Sequence, residues 1–147
     1  MLTVRSILLR VLFAAALAVP GMPASAEVRI LASPGGRVGP FLQMFEQVRA
    51  SGERVVIDGP CLSACTLVLM SVPRNRICVT PRAILGFHAA TSRDFFGRKV
   101  YEPEATGVVL AAYPPRVRQW IVRQGGLNSR LLLLRGSELA AMYPRCR

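Results

Sequence analysis

Ser63 and His88 are the two residues of this 147-residue chain whose types and spacing could do chemistry together, and His88 is its only histidine. A serine hydroxyl becomes a nucleophile when a base lies within hydrogen-bond reach and N–H donors wait for the oxyanion. Ser63 follows Gly59-Pro60-Cys61-Leu62 and opens a run of small and apolar residues to Val72. That pattern predicts a turn out of a strand into a buried helix, whose first N–H groups are free and whose dipole favours negative charge. His88 closes the apolar segment Ile84-Leu85-Gly86-Phe87. A glycine-rich turn, Ser33-Pro34-Gly35-Gly36, follows the first apolar segment of the body. Each feature has a plainer reading. Serine is a common N-cap, a histidine at a strand end can simply be core, and two glycines can simply turn. Taken singly the plainer reading is favoured; taken together, the three favour a site.

The elements that must hold these residues follow from periodicity. Val28 to Ala32 and Arg54 to Asp58 are short, apolar or β-branched and predict strands; Ile77-Cys78-Val79 and Ile84 to Phe87 predict two more. Phe41, Met44, Phe45 and Val48 recur at helical spacing, and Ser51-Gly52 ends that helix. Strand, helix, strand, helix, strand is the order of an α/β domain with a mainly parallel sheet and right-handed crossovers. In such a sheet both glycine-containing turns lie at the carboxyl ends of strands, where sites form. Residues 91–104 are polar and irregular and predict a mobile loop. Ala105 to Ala112 and Arg116 to Gln124 predict helices, broken by Pro114-Pro115 and closed by Gly125-Gly126. Ser137 is placed to cap a last helix through Tyr143. Trp120 reads as core or interface.

The first residues read as an export signal. Arg5 and Arg10 precede the apolar run Val11 to Val19, and Ala24-Ser25-Ala26 supplies the small residues of a cleavage site. The run is short for a bilayer span, which needs about 20 apolar residues. Cleavage after Ala26 leaves one domain of 121 residues, 27–147, in the periplasm or outside the cell. The net charge of +11 falls to +9 without the two leader arginines. The arginines are scattered, with no dense basic run and no interleaved aromatics. That argues for a solvated basic surface loosely attracted to anionic lipid or polymer, and against nucleic acid. Cys61, Cys65, Cys78 and Cys146 are even in number and all lie beyond Ala26, so disulfides are expected. They do not form two close pairs of the zinc-binding kind, so no metal and no cofactor is expected. Three pairings are open. A helix through Cys65 packed beside a strand through Cys78 favours Cys65–Cys78, with Cys61–Cys146 pinning the C-terminus.

The motifs resemble the ClpP-type serine peptidases of the ClpP/crotonase superfamily. Ser33-Pro34-Gly35-Gly36 is similar to that family's Ser-Pro-Gly-Gly turn, Ser63-Ala64 to its nucleophile, and Pro81 through Phe87-His88 to the segment ending in its base. Gly136-Ser137-Glu138-Leu139-Ala140 resembles its last helix. The likeness covers most of Val28 to His88 and, more faintly, the tail. It implies an α/β fold, a serine hydrolase acting on peptide or ester bonds, Ser63 and His88 as catalytic pair, and the N–H groups of Gly36 and Ala64 as oxyanion donors. One departure stands out. Where the family keeps an aspartate for its histidine, this chain has Leu131-Leu132-Leu133-Leu134-Arg135. Asn128 is the nearest polar candidate for that role, and Asp94, Glu102 and Glu104, in the loop after His88, are the carboxylates that could reach it. The rival expectation is a non-catalytic binding or scaffold protein on the same fold. No Walker-type loop is present, so no ATP-driven unfoldase is expected as partner; a homo-oligomer is compatible with the fold.

Overall fold

The computed structural model describes residues 26–147; the leader expected before Glu27 lies, Ala26 apart, outside the described residues. In chain order come β1 (Glu27–Ile30), α1 (Val38–Ser51), β2 (Arg54–Ile57) and β3 (Pro60–Leu62). A 3-10 turn (Ser63–Leu67) then runs into the short α2 (Val68–Ser71), followed by β4 (Ile77–Val79) and β5 (Ile84–Phe87). The remainder is β6 (Thr91–Arg93), β7 (Lys99–Tyr101), α3 (Pro103–Ala112), α4 (Pro115–Arg123), β8 (Leu132–Arg135) and α5 (Gly136–Met142).

Two small sheets share one core. β1, β2 and β4 pair in parallel in that order. The second sheet runs β3-β5-β8, with β3 parallel and β8 antiparallel to β5. The α/β expectation with mainly parallel pairing therefore holds. The chain changes sheets at Gly59, where a Cβ would collide with the Leu31 carbonyl oxygen. Ser33 stitches the sheets together: it pairs with Cys61, its N–H donating to Pro60 O (2.7 Å) and its carbonyl accepting from Leu62 N (2.9 Å).

Phe45, Val55, Ile57, Leu85, Phe87, Ile121 and Leu134 are almost fully buried, each such side chain contributing about 1.5–3 kcal/mol by leaving water. Phe87 meets Tyr113 edge-on at 5.2 Å and Trp120 at 6.0 Å, so Trp120 is core. Its Nε1–H donates to Glu138 (3.1 Å), tying α4 to α5. Asp58, at the end of β2, accepts from Arg82, Thr80 and Arg29. Those donors, Arg82 first and then Thr80, hold its carboxyl far below the usual range.

Several expectations need correction. Residues 91–104 are not a mobile loop: β6 and β7 form an ordered antiparallel hairpin, and α3 begins at Pro103. Alternation of exposed residues on both faces hid it, since neither face packs on the core. Leu132 to Arg135 is a strand, with Leu132 and Leu134 buried and Leu133 and Arg135 exposed. Ser137 does not cap α5, which starts at Gly136 with Arg135 at the N-cap, two residues before Ser137. Met44 is 42% exposed; Phe45 and Val48 carry the buried face of α1.

The cysteines pair as Cys61–Cys65 and Cys78–Cys146, not as expected. The 3-10 turn folds Cys65 back until its Cα is 5.2 Å from that of Cys61. Strand alternation excludes Cys78 from that neighbourhood. Ile77 and Val79 face the core cluster that holds Cys61 and Cys65, so Cys78, opposite Val56, lies on the other face of β4. There the tail runs alongside β4, Val79 N–H donating to Pro144 O and Cys146 N–H to Val79 O, which presents Cys146 to Cys78.

Candidate active site

Strand register brings the serine and the histidine together. β3 and β5 are adjacent and parallel, with Leu62 opposite Gly86. Ser63 leaves β3 one residue later and His88 leaves β5 two residues later, both at carboxyl ends. Neighbouring strands lie about 4.8 Å apart. Both residues line one pocket of about 100 Å³, together with Gly36, Ala64, Ala90, Thr91 and Tyr113. No direct hydrogen bond joins Ser63 to His88.

Ser63 has φ 55° and is the one non-glycine residue with positive φ among those described. The left-handed region costs an L-residue about 1–2 kcal/mol, and residues held in such strain cluster at functional sites. Three devices hold it. The Cys61–Cys65 disulfide brackets it. Thr66 Oγ1 donates to the Ser63 carbonyl (2.7 Å) and, its proton thus committed, accepts from the Tyr113 hydroxyl (2.6 Å). Gly35, itself at φ 83°, packs so closely that a Cβ there would lie 2.6 Å from Ser63 Cβ. Ser63 thus opens a 3-10 turn in a left-handed conformation, where the sequence predicted an α-helix. Burial pushes the Tyr113 phenol up to about 12, so it stays a neutral donor to Thr66. Sequence reasoning missed Thr66 and Tyr113; the signal lies only in tertiary contact, 47 residues apart.

His88 Nδ1 lies 2.6 Å from the Ala89 carbonyl oxygen. A carbonyl only accepts, so Nδ1 is the donor in this contact. The segment is pinned on both sides: Ala89 N–H donates to Asn128 O (2.8 Å) and Ala90 N–H to the buried Thr106 Oγ1 (2.9 Å).

The carboxylates and the amide considered as partners for His88 lie elsewhere. Asp94 is engaged within the hairpin by Arg98 and the Phe96 N–H. Glu102 accepts from Ser92 (2.5 Å). Glu104 borders a neighbouring apolar groove. The Asn128 side chain bonds Gly126 O and Arg130 N, and only its backbone reaches the histidine segment. Gly36 lines the pocket and its N–H makes no hydrogen bond among the described residues, and Ala64 lies in the first turn of the 3-10 segment, where N–H groups lack internal partners. No cluster of three or more His, Cys, Asp or Glu suited to a metal ion occurs among the described residues.

No family model and no curated protein sequence matches the chain. Among solved structures it is similar to a 1510-N membrane-bound stomatin-specific protease, with TM-score 0.54 and 15% identity. The match covers 79% of this chain and 60% of that one. At that identity the likeness is one of fold alone, an α/β domain.

Proposed function

We propose that this protein is a serine hydrolase acting on peptide or ester bonds outside the cytoplasm. One observation carries the reading: a serine held at φ 55° lines the same pocket as a histidine and Gly36. Ser63 Oγ attacks the carbonyl carbon of the substrate while His88 Nε2 takes its proton. The oxyanion is held by the N–H groups of Gly36 and Ala64. His88 returns the proton to the leaving group, and water then releases the acyl group from Ser63 by the same steps. The Ala89 carbonyl takes over the part of the missing carboxylate that fixes the histidine tautomer; it supplies no charge to steady the imidazolium. A slower hydrolase than one with a full triad is the consequence.

Two disulfides support an oxidising compartment, and no helix among the described residues is long and apolar enough to cross a membrane. The structural neighbour's name, a protease, supports the reaction class. An apolar groove of about 540 Å³, lined by Leu42, Met70 and Val108, shares Val38, Leu67, Ala90 and Val109 with the pocket. It suits an apolar side chain beside the scissile bond. Such substrates are short or already extended and need no ATP-driven unfoldase.

A fluorophosphonate probe tests this. The folded protein is expected to label without nucleotide, and Ser63→Ala to abolish the label. His88→Ala is expected to slow labelling by at least about 100-fold. Labelling that survives Ser63→Ala overturns the assignment. A folded parent that never labels favours the second reading, a non-catalytic binding protein on this fold, for which the absence of a carboxylate at His88 speaks.

A further inference from the structure

The β6–β7 hairpin stands clear of the body: all six of its strand residues are exposed. At its tip Phe95 is 97% exposed and Phe96 78% exposed, with ring centroids 5.5 Å apart. This exposure is built. Asp94 Oδ1 accepts from the Phe96 and Arg98 N–H groups, Asp94 Oδ2 from Arg98 Nε, and Asp94 and Arg98 also pair through the backbone. The turn therefore spends its hydrogen bonds on holding two phenyl rings in water. Below them sit three cations, Arg93, Arg98 and Lys99, against one carboxylate. Arg93 and Lys99 are directly opposite each other across the strands, a like-charge arrangement that weakens a hairpin unless an anion lies between them. Val100 and Tyr101 continue the exposed surface toward the body.

We infer that the hairpin tip docks this protein on an anionic lipid bilayer, with Phe95 and Phe96 inserted among the acyl chains and Arg93, Arg98 and Lys99 on the headgroup phosphates. Charge favours this occupant: the collar is net positive and belongs to a chain whose formal charge of +11 stays at +9 without the two leader arginines. So does area. Two phenyl rings offer about 300–500 Å², short of the roughly 800 Å² per partner that a specific protein interface buries. A bilayer needs no complementary shape. Each buried ring is worth about 1.5–3 kcal/mol, and each cation near an anionic surface about 1 kcal/mol. Thr91, at the root of the hairpin, also lines the serine–histidine pocket. Phe95 follows Thr91 by four positions, of which β6 spans only Thr91–Arg93, so the pocket mouth would lie at most roughly 14 Å from the point of insertion.

The test uses the full chain as the cell processes it, with the same N-terminus in every arm, and vesicles of phosphatidylcholine alone or mixed equally with phosphatidylglycerol. In a Phe95→Trp variant the introduced indole is expected to shift to the blue and be quenched by brominated acyl chains on mixed vesicles only. The native Trp120 is buried and gives a constant background. Phe95→Ser with Phe96→Ser is expected to lower the partition coefficient at least about tenfold. Arg93→Gln and Lys99→Gln are each expected to lower it about fivefold at low salt. Unchanged melting of these variants keeps the comparison valid, since the tip makes no core contact. The inference is overturned by vesicle binding that ignores the serine pair, or by an indole that stays in water. A concentration-dependent dimer dissolved by the serine pair also overturns it, by assigning the tip to a second copy.

Discussion

Adjacent glycines at the turn beside Ser63 are expected to answer the same substitution in opposite ways. A methyl group on Gly35 would lie 2.5 Å from Leu62 O, 2.6 Å from Ser63 Cβ and 2.9 Å from Ala64 N. Carbon atoms pack at about 3.5–4.0 Å, so Ser63 Cβ must retreat by roughly 1 Å. None of these atoms is the end of a flexible side chain, so the nucleophile turn itself has to move. Gly35 also sits at φ 83°, which costs an L-residue about 1–2 kcal/mol, and overpacking adds about 1–3 kcal/mol. Gly35→Ala is therefore expected to lose about 2–5 kcal/mol, a large part of the roughly 5–15 kcal/mol available. A displacement of about 1 Å at a reacting group costs about 100-fold in rate. Gly36→Ala is the internal control. Its Cβ would meet only Phe41 Cε2, at an ordinary 3.5 Å, and its φ is not left-handed. It is expected to keep stability within about 0.5 kcal/mol and, because its N–H is retained, to lose far less labelling than Gly35→Ala. Urea titration gives the stabilities, and fluorophosphonate labelling per folded molecule gives the rates. Equal damage from both substitutions, or none from Gly35→Ala, refutes the geometric reasoning.

The two disulfides are expected to separate stability from reactivity. Replacing Cys78 and Cys146 by alanine opens a loop with sequence separation 68 and should cost about 4 kcal/mol; the Cys61 and Cys65 pair, separation 4, should cost about 2 kcal/mol. Labelling per folded molecule should nevertheless fall more for the Cys61/Cys65 variant, because that bond brackets Ser63; the reverse order would contradict its role. Asp58→Asn should lower the melting temperature at pH 7. The folded carboxyl is held below its unfolded value by Arg82, Thr80 and Arg29, so its contribution is complete above the unfolded pKa, about 3.9, and drains away as pH falls below it. The gap between parent and variant should therefore be constant from pH 8 to about 5 and narrow below about pH 4; a gap independent of pH would show that the carboxylate charge is not what matters.

Local chemistry was legible where it was dense. Short β-branched runs and the glycines beside them place β1, β2, β4 and β5 to within a residue or two, and with them the carboxyl-end positions of Ser63 and His88. Ser63's conformation was not legible, because its left-handed φ follows from packing against Gly35 and from the Thr66–Tyr113 bond, not from any propensity of serine. The cysteine pairing failed for a similar reason. Reading the residues after Ser63 as an α-helix directs Cys65 outward to the next strand, whereas the tighter 3-10 turn directs it back to Cys61. The strand Leu132–Arg135 carried its own alternation of buried and exposed positions, masked by four consecutive leucines that show no polarity difference.

The order of the disulfides along the chain bears on how the protein is made. Each bond joins neighbours in sequence, Cys61 to Cys65 and Cys78 to Cys146. Under the proposed export, an oxidase meeting the chain N-terminus first would join the first two cysteines almost at once. Cys78 then finds no free thiol until Cys146 arrives, 68 residues later. Oxidation in order of arrival thus yields the native set, and no isomerase is needed to reshuffle it. The nested arrangement, Cys61–Cys146 around Cys65–Cys78, would have made the opposite demand, holding Cys61 reduced through most of synthesis with Cys65 competing four residues away.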